Sequence, residues 1–401
     1  SESPSTLKSQ PSTEQRLRHL FAYNDEPHQF TTPEVDALID AIDHLKSLDP
    51  AVGSGAFPMG ILHKLVFILT KLDPKNNRWR EVQVERANRE TEAVFKIGDR
   101  KDRESRLIDI NNVFEQNSSD YGRKLYLIEN CIYGVDIQPI AVQIAKMRFF
   151  ISLIVDQRVD PAADNLGVRP LPNLETKFVA ANTLIGLKRP GQQLLRNREI
   201  DAKEAELRRV RERHFMARTL PAKRKCRDQD AQLRAEIAEL LKTDGWDNAT
   251  ARNLADWDPY DQNASADFFD PEWMFGLCDG FDVAIANPPY VRQEAIKVMK
   301  PLLQAQRYDG IVDLFVYFYE ASVRLLRSGG VLSFISSNKY YRAGYGEKLR
   351  VFLAREMTLH QLLDFGDAPV FDAIAYASVL IGSKGAPRND AVVGAHTWQP
   401  E

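Results

Sequence analysis

The 401-residue sequence predicts an α/β fold built on a mostly parallel sheet with helices on both faces. Three observations predict it. Short apolar segments alternate with stretches of helical periodicity along most of the chain. The first such pair is joined by Asp49-Pro50-Ala51-Val52-Gly53-Ser54-Gly55-Ala56-Phe57, which reads as strand, glycine loop, helix. The fourth buried strand, 281–286, runs directly into Asn287-Pro288-Pro289-Tyr290. Ligands of α/β sheets bind at that carboxyl edge.

Residues 1–20 are polar and rich in Ser, Pro and Gln, so 1–27 reads as a loose N-terminal arm. Pro33 opens a helix carrying Val35, Leu38, Ile39 and Ile42 at helical spacing. A strand at 45–48, the glycine loop and an apolar helix at 61–72 follow, ending near Asp73-Pro74. Residues 74–123 are highly charged with few apolar clusters and read as an insertion. The segment Ile132–Asp136 is a second buried strand ending in an acid. Ile140, Ile144, Met147 and Ile151 then mark a helix, and 177–181 a third strand.

A second insertion spans 190–244. Ile200, Leu207 and Val210, then Leu233, Ile237, Leu240 and Leu241, recur at helical spacing. Thr219-Leu220-Pro221 breaks the run, which predicts a helical hairpin. Residues 203–227 hold ten Lys/Arg and three Glu, a local balance of +7. Such a cluster is either a solvated helix face or a contact to DNA phosphates. After the fourth strand, a helix at 314–326 stops at Ser328-Gly329-Gly330. A fifth strand at 331–335 and a hairpin of 362–365 with 377–381 bring the total to seven.

The composition is 44% hydrophobic and 27% charged, as in a globular protein, and the net charge is −3. No run approaches the roughly 20 apolar residues of a membrane span, and no signal-peptide pattern opens the chain. Cys131, Cys226 and Cys278 stand far apart, without zinc-ligand spacing, so no metal and a reducing cytoplasm are expected. The mild acidity announces no nucleic-acid partner globally, but it leaves room for a local basic groove.

Glycines after a strand let a ligand approach the backbone, and the next helix offers open N–H groups. No Gly-Lys-Ser/Thr follows, which argues against a phosphate-gripping loop. Asp136 is placed to hydrogen-bond ribose hydroxyls, or else to cap a helix or pair with a cation. The strongest signal is Asn287-Pro288-Pro289-Tyr290. A conjugated NH2 group is a poor nucleophile, because its lone pair is delocalised into the ring. Two acceptors aimed at its hydrogens localise the pair and stabilise positive charge as it develops on nitrogen. The Asn287 side-chain oxygen and the Pro288 carbonyl can supply them, and the prolines hold that geometry beforehand. Tyr290 offers a flat face to a base removed from the helix.

These residues give the chain its resemblance. The block from Asp49 to Phe57 is similar to the cofactor motif of gamma-class N6-adenine DNA methyltransferases, and Asn287-Pro288-Pro289-Tyr290 resembles their catalytic motif. The likeness covers most of 28–382, apart from the insertions. The basic hairpin resembles that of large methyltransferases from BREX-type phage-defence and single-chain type IIG restriction–modification systems. The resemblance implies a Rossmann-like S-adenosylmethionine-dependent methyltransferase fold and a flipped adenine in double-stranded DNA. It places Phe30 and Thr31, Asp49, Pro50, Gly53 and Gly55 on the cofactor. Asp136 with Ile137 would meet its ribose, Asn182 with Thr183 its adenine, and Asp313, Leu314 and Phe315 its pocket wall. Asn182 stands where the family often has Asp. Phe371 resembles the late aromatic that stacks on the flipped base, or it is an ordinary hairpin core residue.

The resemblance further implies that 383–401 starts a connection to a missing C-terminal target-recognition domain, and that restriction or defence-system subunits are partners. Two other readings stay open. One is an Asn-Pro-Pro-Tyr methyltransferase of protein glutamine or ribosomal guanine. The other is a non-catalytic DNA-binding subunit that kept the fold.

Overall fold

Strands β1 (Ser47–Asp49), β2 (Ile132–Asp136), β3 (Phe178–Ala180), β4 (Phe281–Ala286), β5 (Leu326–Ser337), β6 (Met357–Asp364), β7 (Ala377–Lys384) and β8 (Gly394–Thr397) form one sheet. Their order is β3-β2-β1-β4-β5-β7-β6-β8. The computed structural model describes residues 11–92, 99–116, 119–187, 197–292, 294–296, 299–305, 312–344, 346–366, 368, 370, 376–386 and 393–397. Neighbouring pairs from β3 through β5 are parallel, whereas β7 runs antiparallel between β5 and β6. All seven expected strands are present. An eighth, β8, pairs parallel with β6 inside the stretch expected to be a connection.

Chain contacts divide the protein into two compact units, each described by itself. The first comprises Ser1–His44, Gly60–Cys131 and Val155–Val168. It holds α1 (Thr13–Phe21), α2 (Thr32–His44), most of α3 (Ala56–Leu72), α4 (Asn77–Glu92), α5 (Asp99–Gln116) and α6 (Ser119–Asn130). The expected loose arm contains α1. The Ser12 side chain accepts the Gln15 N–H while Gln15 accepts the Ser12 N–H, a reciprocal cap that the Ser-x-x-Gln spacing encodes. Among the described residues of the charged stretch 74–123, α4, α5 and the start of α6 are packed helices, because apolar residues fall on inward faces: Trp79, Val82, Ile110, Val113 and Tyr121 are buried. Its buried charges have partners. Arg123 donates to the Asp73 carbonyl at 2.7 Å and to Asp120 at 2.6 Å, and Asp43 accepts from Gln83 and Arg86.

The second unit comprises Leu45–Met59, Ile132–Ile154 and Arg169–Glu401 and contains the whole sheet. Its helices are the start of α3, α7 (Pro139–Ile154), α8 (Arg198–Met216), α9 (Leu220–Thr243), α10 (Asn248–Asp256), α11 (Pro271–Phe275), α12 (Lys300–Ala305), α13 (Leu314–Leu325) and α14 (Gly346–Glu356). The predicted hairpin is α8 and α9, and it belongs to the unit's main core. Ile200, Leu207, Val210, Leu233 and Ile237 cluster with Tyr133, Val179 and Phe281 of the sheet. Within it the buried Asp230 accepts from Arg211 and Arg234, each at 2.7 Å. Burial alone would raise that carboxyl, but the two guanidiniums outweigh it and hold it below the ordinary range.

One boundary and one buried face differ most from expectation. Helix α13 ends at Leu325, and the Ser328-Gly329-Gly330 stretch is a bulge in β5 rather than a helix stop. Gly329 has φ +75°, and a Cβ on Gly330 would meet the Phe281 carbonyl at 2.7 Å. The other is α7. Ile140, Ile144, Met147 and Ile151 do lie on this helix, but all four are exposed, and Val142, Ala145, Phe149 and Leu153 are the buried residues. Among the described residues, no helix is long and apolar enough to cross a membrane. None of the three cysteines forms a disulfide.

Candidate active site

Strand β1 lies between β2 and β4, with Asp49 aligned to Gly134 and Leu48 to Ala284. Parallel neighbours lie about 4.8 Å apart. The carboxyl ends of these strands therefore bring Asp49, Asp136 and Asn287 to one edge, joined by Asn182 and Thr183 beyond β3.

The glycine loop is tied down by its own surroundings. The Val52 N–H donates to the Val135 carbonyl at 2.8 Å, and the Gly53 N–H donates to Asp136 Oδ2 at 2.8 Å. Thr183 Oγ1, buried, donates to the Pro50 carbonyl at 2.8 Å. Gly55 takes φ +81°, and its Cα is pressed against α7: a Cβ there would sit 3.0 Å from Ala145 Cβ. A β-carbon there would be strained by the left-handed backbone and would press on Ala145, which favours glycine beyond any turn preference. Asp49 is buried and accepts the Ala51 N–H at 3.0 Å. Burial pushes its carboxyl up to about 8; the charge of Asp136 adds to the rise and the Ala51 N–H opposes it.

Asp136 also accepts the Gln138 N–H through Oδ1 at 2.9 Å. A carboxylate has about four acceptor sites, so two remain for another donor. Its tie to Gly53, 83 positions away in sequence, was not legible beforehand. Ile137 beside it is exposed. Asn182 Oδ1 accepts the Leu184 N–H at 3.2 Å, and its backbone N–H donates to Ala266 at 2.9 Å.

The Asn287 loop is built differently. Asn287 Oδ1 is buried from solvent yet accepts no hydrogen bond among the described residues. Pro288 is buried and Pro289 exposed. The Tyr290 ring meets the buried Phe315 edge-on, with centroids 6.5 Å apart at 88°, and burial raises its phenol to about 12. Phe315 in turn packs on Tyr340 at 6.2 Å, so it stands behind Tyr290 as a buttress. The Leu314 N–H donates to the Val291 carbonyl at 2.9 Å, pinning the start of α13 to the chain just past the loop. Asp313 occupies the N-cap position of α13, but its side chain makes no capping bond there.

Two expected site residues belong to the first unit. The Phe30 ring lies under the Arg16 guanidinium at 4.8 Å. Thr31 donates through both its N–H and its hydroxyl to Glu34, at 2.9 and 3.0 Å, and the Arg16–Glu34 pair holds that carboxyl down at about 2. Phe371 lies outside the described residues. Ala145, which accommodates Gly55, was missed, because a small residue on a helix carries no local signal of close approach.

An α/β sheet with β7 antiparallel beside its last parallel strand, and with polar loops from adjacent strands along one edge, has the Rossmann-like S-adenosylmethionine-dependent methyltransferase fold. The chain belongs to the Eco57I restriction-modification methylase family, which it matches over residues 130–371. It is similar to the type II methyltransferase M.PaeR7I of Pseudomonas aeruginosa, at 35% identity over 37% of this chain and 26% of that protein. It is likewise similar to the type II methyltransferase M.BanIII of Aneurinibacillus aneurinilyticus, at 29% over 39% and 27%. The protein RM.MjaORFECS2P of Methanocaldococcus jannaschii is 24% identical over 89% of this chain and 31% of its own length. The chain thus spans about a quarter to a third of these relatives. Among solved structures, the M protein of the type I restriction enzyme EcoKI is similar with a TM-score of 0.38, 12% identity and coverage of 93% of this chain and 49% of that one.

Proposed function

We propose that this chain is the catalytic region of a DNA methyltransferase that methylates N6 of an adenine flipped out of duplex DNA. It would act in the bacterial or archaeal cytoplasm within a restriction–modification or phage-defence system. The observation that carries the reading is the buried, unsatisfied Asn287 Oδ1 on a proline-fixed loop at the sheet edge. A buried acceptor without a partner costs about 1–3 kcal/mol. It is retained where a substrate donor completes it.

The residues fit S-adenosylmethionine. The Asp49 carboxyl, buried with no cation beside it among the described residues and raised to about 8, suits an incoming ammonium, which would return it to the charged form. Asp136 keeps acceptor capacity for hydroxyls, and the Gly53–Gly55 turn admits a ligand close to the backbone. When bound, the cofactor supplies a methyl group on a positively charged sulfur. Asn287 Oδ1 and the Pro288 carbonyl take the two N–H hydrogens of the amino group, hold its lone pair out of conjugation, and stabilise the charge that develops on nitrogen. The surplus proton leaves to solvent after transfer, so no general base is required beforehand. Tyr290, with Phe315 behind it, stacks on the extruded base.

Tritium transfer from S-adenosylmethionine to plasmid DNA, followed by nucleoside mass spectrometry, tests the reading. N6-methyladenine is the expected product. Label on a glutamine side chain or on ribosomal guanine, with none on DNA, overturns it.

A further inference from the structure

The basic hairpin bend and the Asn287 loop lie at opposite edges of the sheet. Asn173, just ahead of β3, donates through Nδ2 to the carbonyls of His214 at 2.6 Å and Ala217 at 2.9 Å. Lys177, next to the first residue of β3, lies over the Phe215 ring. These contacts fix the bend at the amino edge, whereas Asn287 follows β4 at the carboxyl edge. Several hairpin cations are also neutralised in place: Lys203 is paired with Glu236, Arg211 with Asp230 and Arg227 with Glu175.

A smaller cationic group stands beside the Asn287 loop. Strand β5 runs past the end of β4, because Ala286 aligns with Phe334 and β5 continues to Ser337. The 3-10 turn Asn338–Tyr341 follows at the carboxyl edge. Its Tyr340 is buried and packs on Phe315, which packs on Tyr290. Lys339 and Arg342 flank Tyr340 and are exposed. Side chains three apart on such a turn eclipse, so the two project toward one side. The turn is held firmly. Arg350 donates to the carbonyls of Tyr340 at 2.5 Å and Ala343 at 3.3 Å. Asn338 donates through its N–H to the Tyr376 carbonyl at 2.7 Å and through Nδ2 to Asp364 at 2.8 Å. Arg292, exposed as well, comes two residues after Tyr290. Among the described residues, Arg292, Lys339 and Arg342 have no carboxylate within ion-pair distance.

Resting on the methylation of a flipped base, we propose that Arg292, Lys339 and Arg342 hold the phosphates of the strand that carries the flipped nucleotide. A base with its amino group at Asn287 brings its own backbone to this edge, where the three cations stand around the loop. Extrusion has an unstacking cost that contacts to the backbone offset. Cations free of carboxylates meet phosphates without breaking an ion pair, and a fixed turn limits the ordering cost of the contact. The net charge is −3, so attraction to DNA has to come from such a local group.

Fluorescence anisotropy of short labelled duplexes, titrated with the purified chain between about 50 and 200 mM salt, tests this. Each phosphate contact contributes about 0.9 to the slope of log K against log salt. Lys339→Gln with Arg342→Gln should therefore flatten the slope by about 1.8, equally on duplexes of unrelated sequence, and Arg292→Gln alone by about 0.9. Arg224→Gln with Lys225→Gln removes the same charge from exposed positions beside the hairpin bend and should leave the slope as in the parent. All these variants should keep the parent's unfolding temperature and its shift with S-adenosylmethionine. An unchanged slope in the edge variants overturns the proposal. Equal flattening by the hairpin variant overturns it too, and so does a parent chain without salt-dependent binding. Formation of N6-methyladenine with unchanged slopes removes this surface and leaves the methylation reading standing; flattened slopes without methylated adenine do the reverse.

Discussion

The two loops at the carboxyl edge of the sheet are adjacent, yet they are finished to opposite degrees. In the glycine loop after β1 the groups are engaged before any ligand arrives: Gly53 N–H on Asp136, Pro50 carbonyl on Thr183, Val52 N–H on Val135. In the loop after β4 the acceptor proposed to act on the substrate, Asn287 Oδ1, is buried and without a hydrogen-bond partner among the described residues. A loop that only has to bind gains from rigidity, since ordering it in advance removes an entropic cost of binding. A group that acts on a transition state must be left open until the reacting atom completes it.

The largest effect expected from this contrast is at Asn287. Asn287→Ala should lower kcat for DNA methylation by roughly 100- to 1,000-fold, about 2.7–4 kcal/mol, as loss of one preorganised hydrogen-bonding group does. The Kd for S-adenosylmethionine should stay unchanged in calorimetry. A near wild-type rate would remove the distinction between the loops. Asp136→Ala should do the reverse and weaken cofactor binding by about 1–3 kcal/mol, because the Gly53 N–H loses its charged acceptor. Asp136→Asn should recover part of the loss, since an amide oxygen can still accept.

Gly55→Ala should have a smaller effect on binding. It places a β-carbon 3.0 Å from Ala145 and holds a non-glycine residue at φ +81°, costing about 1–2 kcal/mol for the left-handed backbone. A lowered unfolding temperature together with weaker cofactor binding would confirm that the loop is clamped against α7.

The smallest effect expected on cofactor binding is a pH dependence at Asp49. Its carboxyl is raised from 3.8 to about 8, so between those values the fold holds a proton that the unfolded chain releases. That contribution to stability is full below the unfolded value and is lost as pH rises through about 8. Thermal unfolding should accordingly show the parent losing more stability from pH 5 to 8 than Asp49→Asn. An ammonium ligand favours the ionised carboxylate, so S-adenosylmethionine affinity should rise from pH 7 to 8 by about tenfold at most, with proton release, and level off above. A flat affinity over that range would show that Asp49 does not meet the ammonium.

Much of the site was legible because its signals are local. A glycine loop after a strand, an acid ending the next strand and Asn-Pro-Pro-Tyr after a fourth are each contained within ten residues. Backbone restriction by Pro and Gly acts over that same range. The contacts that hold the loops were not legible: Asp136 on Gly53, Thr183 on Pro50 and Ala145 under Gly55 join positions brought together only by strand order. Likewise, Phe315 stands behind Tyr290 because β4, α13 and the chain at Tyr340 converge there.

Helix α7 shows where sequence stops and tertiary structure begins. Periodicity identified the helix from Ile140, Ile144, Met147 and Ile151. But Val142, Ala145, Phe149 and Leu153 on the other side are apolar as well, and a helix apolar nearly all round does not declare which side the sheet will cover. The charged stretch at 74–123 shows the converse. Its composition reads as an insertion, yet Trp79, Ile110 and Tyr121 are spaced to build a core, while Arg123 donates to the Asp73 carbonyl and the Asp120 carboxylate. The sequence by itself determined seven of the eight strands and the two edge loops, since these depend on local apolar pattern and backbone restriction. Only the tertiary structure decided the antiparallel placement of β7, the eighth strand, the buried side of α7 and the ties that rigidify the glycine loop, because each rests on contacts between residues far apart in the chain.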